Sequence, residues 1–189
     1  MKKKLIYGIA LFLVLGGGKF VYDKHINHNF EEISENKVYK SGVIPPDQIA
    51  DYVEDYKLKS IIDLRFPGTE DLVNNPEIPA ELLAEKMAIE SIEGVQYINL
   101  GTDQVPTQAT IDKFLAIMDD QSNYPVLIHC HHGEGRAPLF SALYRIEYEN
   151  WTNEDARAKT RLLLKGSSFD DGAPKGDFLM NYQPKRTQQ

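Results

Sequence analysis

Residues 126–150, VLIHCHHGEGRAPLFSALYRIEYEN, constrain the fold more than any other stretch of the chain. VLIHC is an apolar run, too short for an ordinary helix and bounded by Pro125 and a glycine-rich loop, so it reads as a buried central strand. Leu139 to Asn150 then has the composition of a helix. A strand that turns through two glycines straight into a helix is the building unit of an α/β layer fold, and the rest of the chain repeats that alternation.

Val38 to Val43 opens the sheet, and a helix runs from Pro46 to about Tyr56, with Pro-Asp in its first turn. Ser60 to Leu64 (SIIDL) is a second buried strand, followed by the loop FPGTEDLVNNPEIP. Ala80 to Ile92 is helical, with Gly94 as its terminating residue. VQYINL, 95–100, is a third parallel strand. The helix TQATIDKFLAIMDD follows, with Ile111, Phe114, Leu115 and Met118 on one face. Thr152 caps a helix running to Leu164, and from Gly166 the chain reads as a polar tail. These segments predict a mostly parallel, four- to five-stranded central sheet flanked by helices, spanning residues 38–189. Residues 23–37, DKHINHNFEEISENK, read as a linker.

The chain has one cysteine and five histidines, with Cys130 and three of the histidines inside IHCHHGEGR. A metal site draws ligand pairs from separate segments, whereas neighbours such as His129, Cys130, His131 and His132 diverge, and no second pair is evident; no metal or other cofactor is expected. A redox pair fails for want of a second thiol. An anion cradle accounts for each residue. Gly133 and Gly135 let successive backbone N–H groups face one concavity at the positive end of a helix dipole. Arg136 offers two phosphate oxygens a planar fork. Cys130 lies beneath the phosphorus as a nucleophile, its thiolate favoured by the same amides and dipole.

His-Cys-x5-Arg, written here as HCHHGEGR, resembles the signature of the protein tyrosine phosphatase superfamily and its dual-specificity members. The segments YKSG, IIDLR and ALYRIEYENWTNEDA also look like those of small bacterial dual-specificity-type phosphatases. The resemblance implies a dual-specificity phosphatase-like fold and a phosphocysteine intermediate on Cys130. It implies transition-state charge held by Arg136 and by the loop His131, His132, Gly133, Glu134 and Gly135, with His129 ordering that loop. It also implies a general acid on the loop before the preceding helix. Asp103 fits that place, and TDQVP resembles the acid loop of tyrosine-phosphatase-like phytases. The bland alternative is that Asp103 caps the next helix; Asp112, inside that helix, is the poorer candidate. Arg65 has two readings of equal weight: a charge on the pocket rim at the C-terminal end of a parallel strand, or an internal ion pair with Asp63.

The chain departs from the family after the arginine. Ser or Thr is usual there, with a hydroxyl that assists cysteine as the leaving group; Ala137 stands here, followed by Pro138. Substrate attack would survive and hydrolysis of the intermediate would slow. Glu134 argues against highly anionic substrates, while the phytase-like TDQVP argues for them. The expected partner is a phosphorylated protein, inositol phosphate or lipid head group. The net charge of −7 argues against nucleic acid. Two other classes stay open: an idle phosphate-binding module of the same fold, and a sulfurtransferase, which the Cys-x5-Arg spacing disfavours.

Lys2, Lys3 and Lys4 precede an uncharged run from Leu5 to Gly18, so residues 1–22 read as a signal-anchor or a cleaved signal peptide. The expected localisation is a membrane-anchored domain facing the periplasm or cell exterior, or an exported one after cleavage.

Overall fold

The computed structural model describes residue 18 and residues 22–67, 79–161 and 166–186. Its strands are β1 (Glu31–Ser34), β2 (Val38–Ser41), β3 (Ser60–Asp63), β4 (Gln96–Asn99) and β5 (Val126–His129). They form one sheet in the order β1-β2-β5-β3-β4, in which only the β1–β2 pair is antiparallel. The α/β fold with a mostly parallel sheet is therefore as the sequence predicts, at five strands. Register sets Ser41, His129, Asp63 and Asn99 in one row at the C-terminal ends of the parallel strands. Every loop that leaves that row starts from the same edge of the sheet, where open α/β sheets hold their ligands.

Both faces of the sheet are covered, which is why its inner strands lack a polar face. Residues alternate sides along a strand. Val126 and Ile128 pack with Ile62 into the larger core beneath α3 (Gln108–Asp119) and α4 (Arg136–Tyr148). Leu127, Ile61 and Tyr39 pack into a second core under α1 (Ile49–Tyr56) and α2 (Pro79–Glu90). The predicted face of α3 is the buried one, Ile111, Phe114, Leu115 and Met118, and the Thr107 hydroxyl accepts from Thr110 N at its start. Phe114 meets Phe140 edge-on at 4.9 Å. Truncating either ring to alanine costs about 3–5 kcal/mol.

The linker expected over residues 23–37 is a misreading from residue 27 onward. β1 lies within it, Ile33 is buried, and the Phe30 ring packs on Tyr39 and Tyr56 at 5.4 and 4.3 Å. The strand is hidden in sequence because it is an edge: Glu31 and Glu32 precede a single inward-facing Ile33, a charged pattern that edge strands use against stray pairing. The tail from Gly166 also folds, through α6 (Pro174–Asn181), which follows α5 (Asn153–Thr160) in sequence and packs on it, with Leu179 and the following Tyr182 buried in the larger core.

Boundaries differ elsewhere. α1 begins at Ile49, after a turn in which Gln48 N donates to Pro45 O, and α4 begins at Arg136, directly after the glycine loop. The apolar run from Leu5, part of the FPGTEDLVNNPEIP loop and the end of the helix expected to reach Leu164 lie outside the described residues. Among the described residues no helix is long and apolar enough to cross a membrane.

Candidate active site

Cys130 leaves the end of β5 and is 3% exposed; six residues later Arg136 opens α4. The loop between them is clamped from outside. Val43 N donates to His131 O at 3.0 Å, and the Asn29 side chain donates to His132 O at 2.8 Å. In a trans peptide the N–H points opposite to the C=O, so with both carbonyls drawn outward the His132 and Gly133 amides point the other way. Gly133 has φ +71, a left-handed conformation that glycine adopts without strain. A Cβ there would also lie 2.4 Å from Gly42 N and 2.6 Å from Ser41 C. The turn therefore packs backbone on backbone against the end of β2, and no side chain fits at 133.

Arg136 is 3% exposed, and its Nη1 donates to Leu64 O at 3.0 Å. The carbonyl of Thr102 lies 3.4 Å from the same nitrogen. The residues that follow β3 and β4 thus fix the plane of the guanidinium over the Cys130 loop. A pocket of about 190 Å³ sits above that loop, lined by Gln104, Cys130, His131, His132, Glu134, Gly135 and Arg136. It adjoins a groove of about 710 Å³ through Glu134 and Gly135. Gly133 faces this groove and the Gly42 contact, so its part is to shape the loop. The groove wall mixes Lys40, Arg145, Lys159 and Arg161 with Asp23 and Glu31.

His129 and Arg65 belong to a separate cluster on the other face of the sheet. Arg65 is fully buried; its Nε and Nη2 donate to the two Asp63 carboxylate oxygens at 2.9 and 2.8 Å, and it also pairs with Glu85 of α2. Tyr97 O–H donates to Asp63 Oδ2 at 2.8 Å. The placement of Arg65 on the pocket rim is therefore corrected: two buried carboxylates hold the guanidinium beneath the sheet, and the internal ion pair is the right reading. Burial by itself would raise the Asp63 pKa, but His129 and the Arg65 bonds outweigh it and hold the carboxyl at about 2. Burial likewise disfavours the Arg65 charge, and Asp63 with Glu85 reverses that, raising its pKa.

His129 Nε2 stands 3.8 Å from Asp63 and 3.6 Å from Glu85, beyond hydrogen-bond length. Asp63, Glu85 and His129 offer ligand atoms within 4.8 Å of one another, a grouping able to hold a metal ion. The Arg65 guanidinium, bonded to both carboxylates, already supplies the positive charge there, so the residues fit an internal ion network better than a cation site.

The loop from Leu100 to Thr107 carries Asp103, but its side chain is exposed, and the residue that it contributes to the pocket wall is Gln104. Thr102 is buried, with its N donating to Leu64 O at 3.2 Å, and the chain turns outward directly after it. Gln104 is held by Lys175 of α6, whose Nζ donates to its Oε1 at 2.6 Å. Sequence reasoning missed both residues. Gln104 stands beside the more conspicuous carboxyl of TDQVP, and Lys175 lies in a polar segment without apolar periodicity. Ala137 is fully buried in the core cluster that also contains Cys130. Position 137 therefore offers the sulfur no hydroxyl.

A family model described as PTP-NADK, DSP-PTPase phosphatase fused to NAD+ kinase, matches residues 19–172. The protein tyrosine phosphatase PRL-1 of Trypanosoma cruzi is 32% identical over 84 residues, which are 42% of this chain and 46% of that protein. The dual specificity protein phosphatase TpbA of Pseudomonas aeruginosa is 33% identical over 79 residues, 41% of this chain and 35% of that protein. The chain thus spans less than half the length of these curated relatives. Among solved structures, the core catalytic domain of the PP-IP phosphatase SIW14 from S. cerevisiae, in complex with citrate, shares the fold with a TM-score of 0.60 at 23% identity. That match covers 82% of this chain and 85% of the yeast domain.

Proposed function

The chain belongs to the DSP-PTPase phosphatase family described as fused to NAD+ kinase, and on that premise we propose that it hydrolyses phosphomonoesters through a phosphocysteine intermediate. The observation that carries this reading is Cys130 and Arg136 at the two ends of one loop whose outer carbonyls are tied to Val43 and Asn29. Cys130 Sγ attacks phosphorus, an S–P bond forms and the P–O bond to the leaving group breaks. Arg136 and the amides of residues 131–136 hold the non-bridging oxygens as charge builds on them. Asp103, the one carboxyl of the loop from Leu100 to Thr107, protonates the leaving oxygen and then activates the water that cleaves S–P. Its exposed side chain turns toward the pocket mouth when substrate is bound, since such contacts tighten in the complex.

The substrate is a phosphoprotein or an inositol phosphate. The protein phosphatases among the sequence relatives favour the first and the PP-IP phosphatase of like fold favours the second. The mixed charges of the adjoining groove and the carboxyl of Glu134 fit a phosphopeptide better than a ligand with several phosphates. The N-terminal lysines and apolar run would hold this domain at a membrane, facing out of the cytoplasm. A second reading, a phosphate-binding module with little turnover, has the buried Ala137 in its favour.

Hydrolysis of p-nitrophenyl phosphate by the full chain, with EDTA present, tests the proposal. Activity that vanadate inhibits and Cys130→Ser abolishes supports an enzyme. Phosphate binding with no Cys130-dependent turnover supports the module. Parallel assays on a phosphotyrosine peptide and on inositol hexakisphosphate separate the substrate classes.

A further inference from the structure

α6 brings a cation to the Cys130 loop from a part of the chain that the family match, ending at residue 172, does not reach. Lys175 is the second residue of α6 and is 7% exposed. Gly176 makes its approach possible. A Cβ at 176 would stand 2.1 Å from Asp170 O and 2.7 Å from Phe169 O, so the first turn of α6 rests directly on that backbone. Lys175 Nζ lies 5.8 Å from the centroid of the Phe169 ring and donates to Gln104 Oε1 at 2.6 Å. A Cβ on Gly135 would come within 2.9 Å of Nζ, which puts the ammonium against the phosphate loop itself.

What Lys175 lacks is as informative as what it touches. Among the described residues no carboxylate lies within ion-pair distance of its Nζ, whereas Arg157, Arg161 and Lys185 each meet an aspartate. A buried ammonium is costly unless an anion faces it. The titratable groups that act on it are Cys130 and Arg136. Burial most strongly lowers its pKa, Cys130 opposes that change and Arg136 adds to it. Its natural counter-charge is therefore an anion held on the Cys130 loop.

We propose that Lys175 is a phosphate-binding residue of this site, its ammonium held by Gln104 and contacting a non-bridging oxygen of the phosphoryl group. The kinetic part of this inference rests on the phosphatase reading; the anion-binding part does not. A contact made in the ground state and the transition state alike changes KM more than kcat.

The test compares the full wild-type chain with Lys175→Met and Lys175→Arg by p-nitrophenyl phosphate kinetics across pH, tungstate titration by calorimetry, and thermal melting. Lys175→Met should weaken tungstate binding and raise KM by about ten- to a hundredfold, as expected for a hydrogen bond to a charged group, with kcat changed far less. Lys175→Arg should restore most of the binding. It should also carry activity further into alkaline pH than the wild type, because a guanidinium keeps its proton there. Wild-type tungstate affinity in Lys175→Met overturns the proposal. So does equal loss of binding in both variants together with a lowered melting temperature, which would mark a structural strut. If the wild-type chain shows no Cys130-dependent hydrolysis, the phosphatase reading fails, and the tungstate titration still decides the role of Lys175.

Discussion

Two charged clusters lie on opposite faces of the sheet at the end of β5, and they hold their cations with different partners. Behind the strand, Arg65 is matched by Asp63 and Glu85, with Tyr97 bonded to the same aspartate, and all but Tyr97 are fully buried or nearly so. In front of it, Arg136 donates to the carbonyls of Leu64 and Thr102, and Lys175 donates to the side-chain oxygen of Gln104. The rear cluster braces the sheet through guanidinium–carboxylate pairs, while the front one holds its cations on backbone and amide oxygens beside the Cys130 pocket.

Substitutions should separate the two clusters by what they damage. Cys130→Ser should remove all turnover while leaving the melting temperature within a degree or two of wild type; residual Cys130-independent hydrolysis would break the assignment of the front pocket. Asp103→Asn should lower kcat by about 10²–10⁴-fold, and an unchanged rate would move the acid to another group, with Glu134 the first to test. Arg65→Met should do the reverse of Cys130→Ser. It leaves Asp63 and Glu85 facing each other in the interior, a loss of about 3–5 kcal/mol in denaturant titrations.

The rear cluster also predicts the acid limb of stability. The Asp63 carboxyl is depressed in the folded chain to about 2, so its contribution is fully present above the unfolded value near 4 and is lost as pH falls through the folded one. About 2 kcal/mol should disappear over that window, and Asp63→Asn should flatten it. The smallest effect belongs to Ala137→Thr. If hydrolysis of the phosphoenzyme limits turnover, wild type should show a burst of p-nitrophenol and the threonine variant a faster steady state of a few-fold with a smaller burst. Equal rates without a burst would remove Ala137 from the kinetic account.

The parts legible in the sequence are those built by local rules. VLIHC followed by HHGEGR announced strand, turn and helix because apolar periodicity and glycine placement act within a few residues. The face of α3 was legible for the same reason. β1 was not, because an edge strand with one buried side chain carries little apolar signal, and its partner for the loop, Asn29, acts on His132 across the fold. For Arg65 the sequence leaves pocket rim and internal ion pair open, because its second carboxylate, Glu85, comes from a distant helix and meets it only in the fold. Gln104 and Lys175 meet only in three dimensions. Asp103 was legible by its type, and its outward turn after the buried Thr102 was not.

The contact between Gly42 and Gly133 has a consequence for descent. A Cβ at 42 would stand 3.0 Å from the His132 carbonyl carbon, and one at 133 would stand 2.4 Å from Gly42 N. Two positions far apart in the gene are therefore linked: 133 cannot acquire a side chain until the backbone at 42 has moved, and a side chain at 42 presses on the carbonyl just before 133. Drift among relatives should hold glycine at 133 more strictly than at 42.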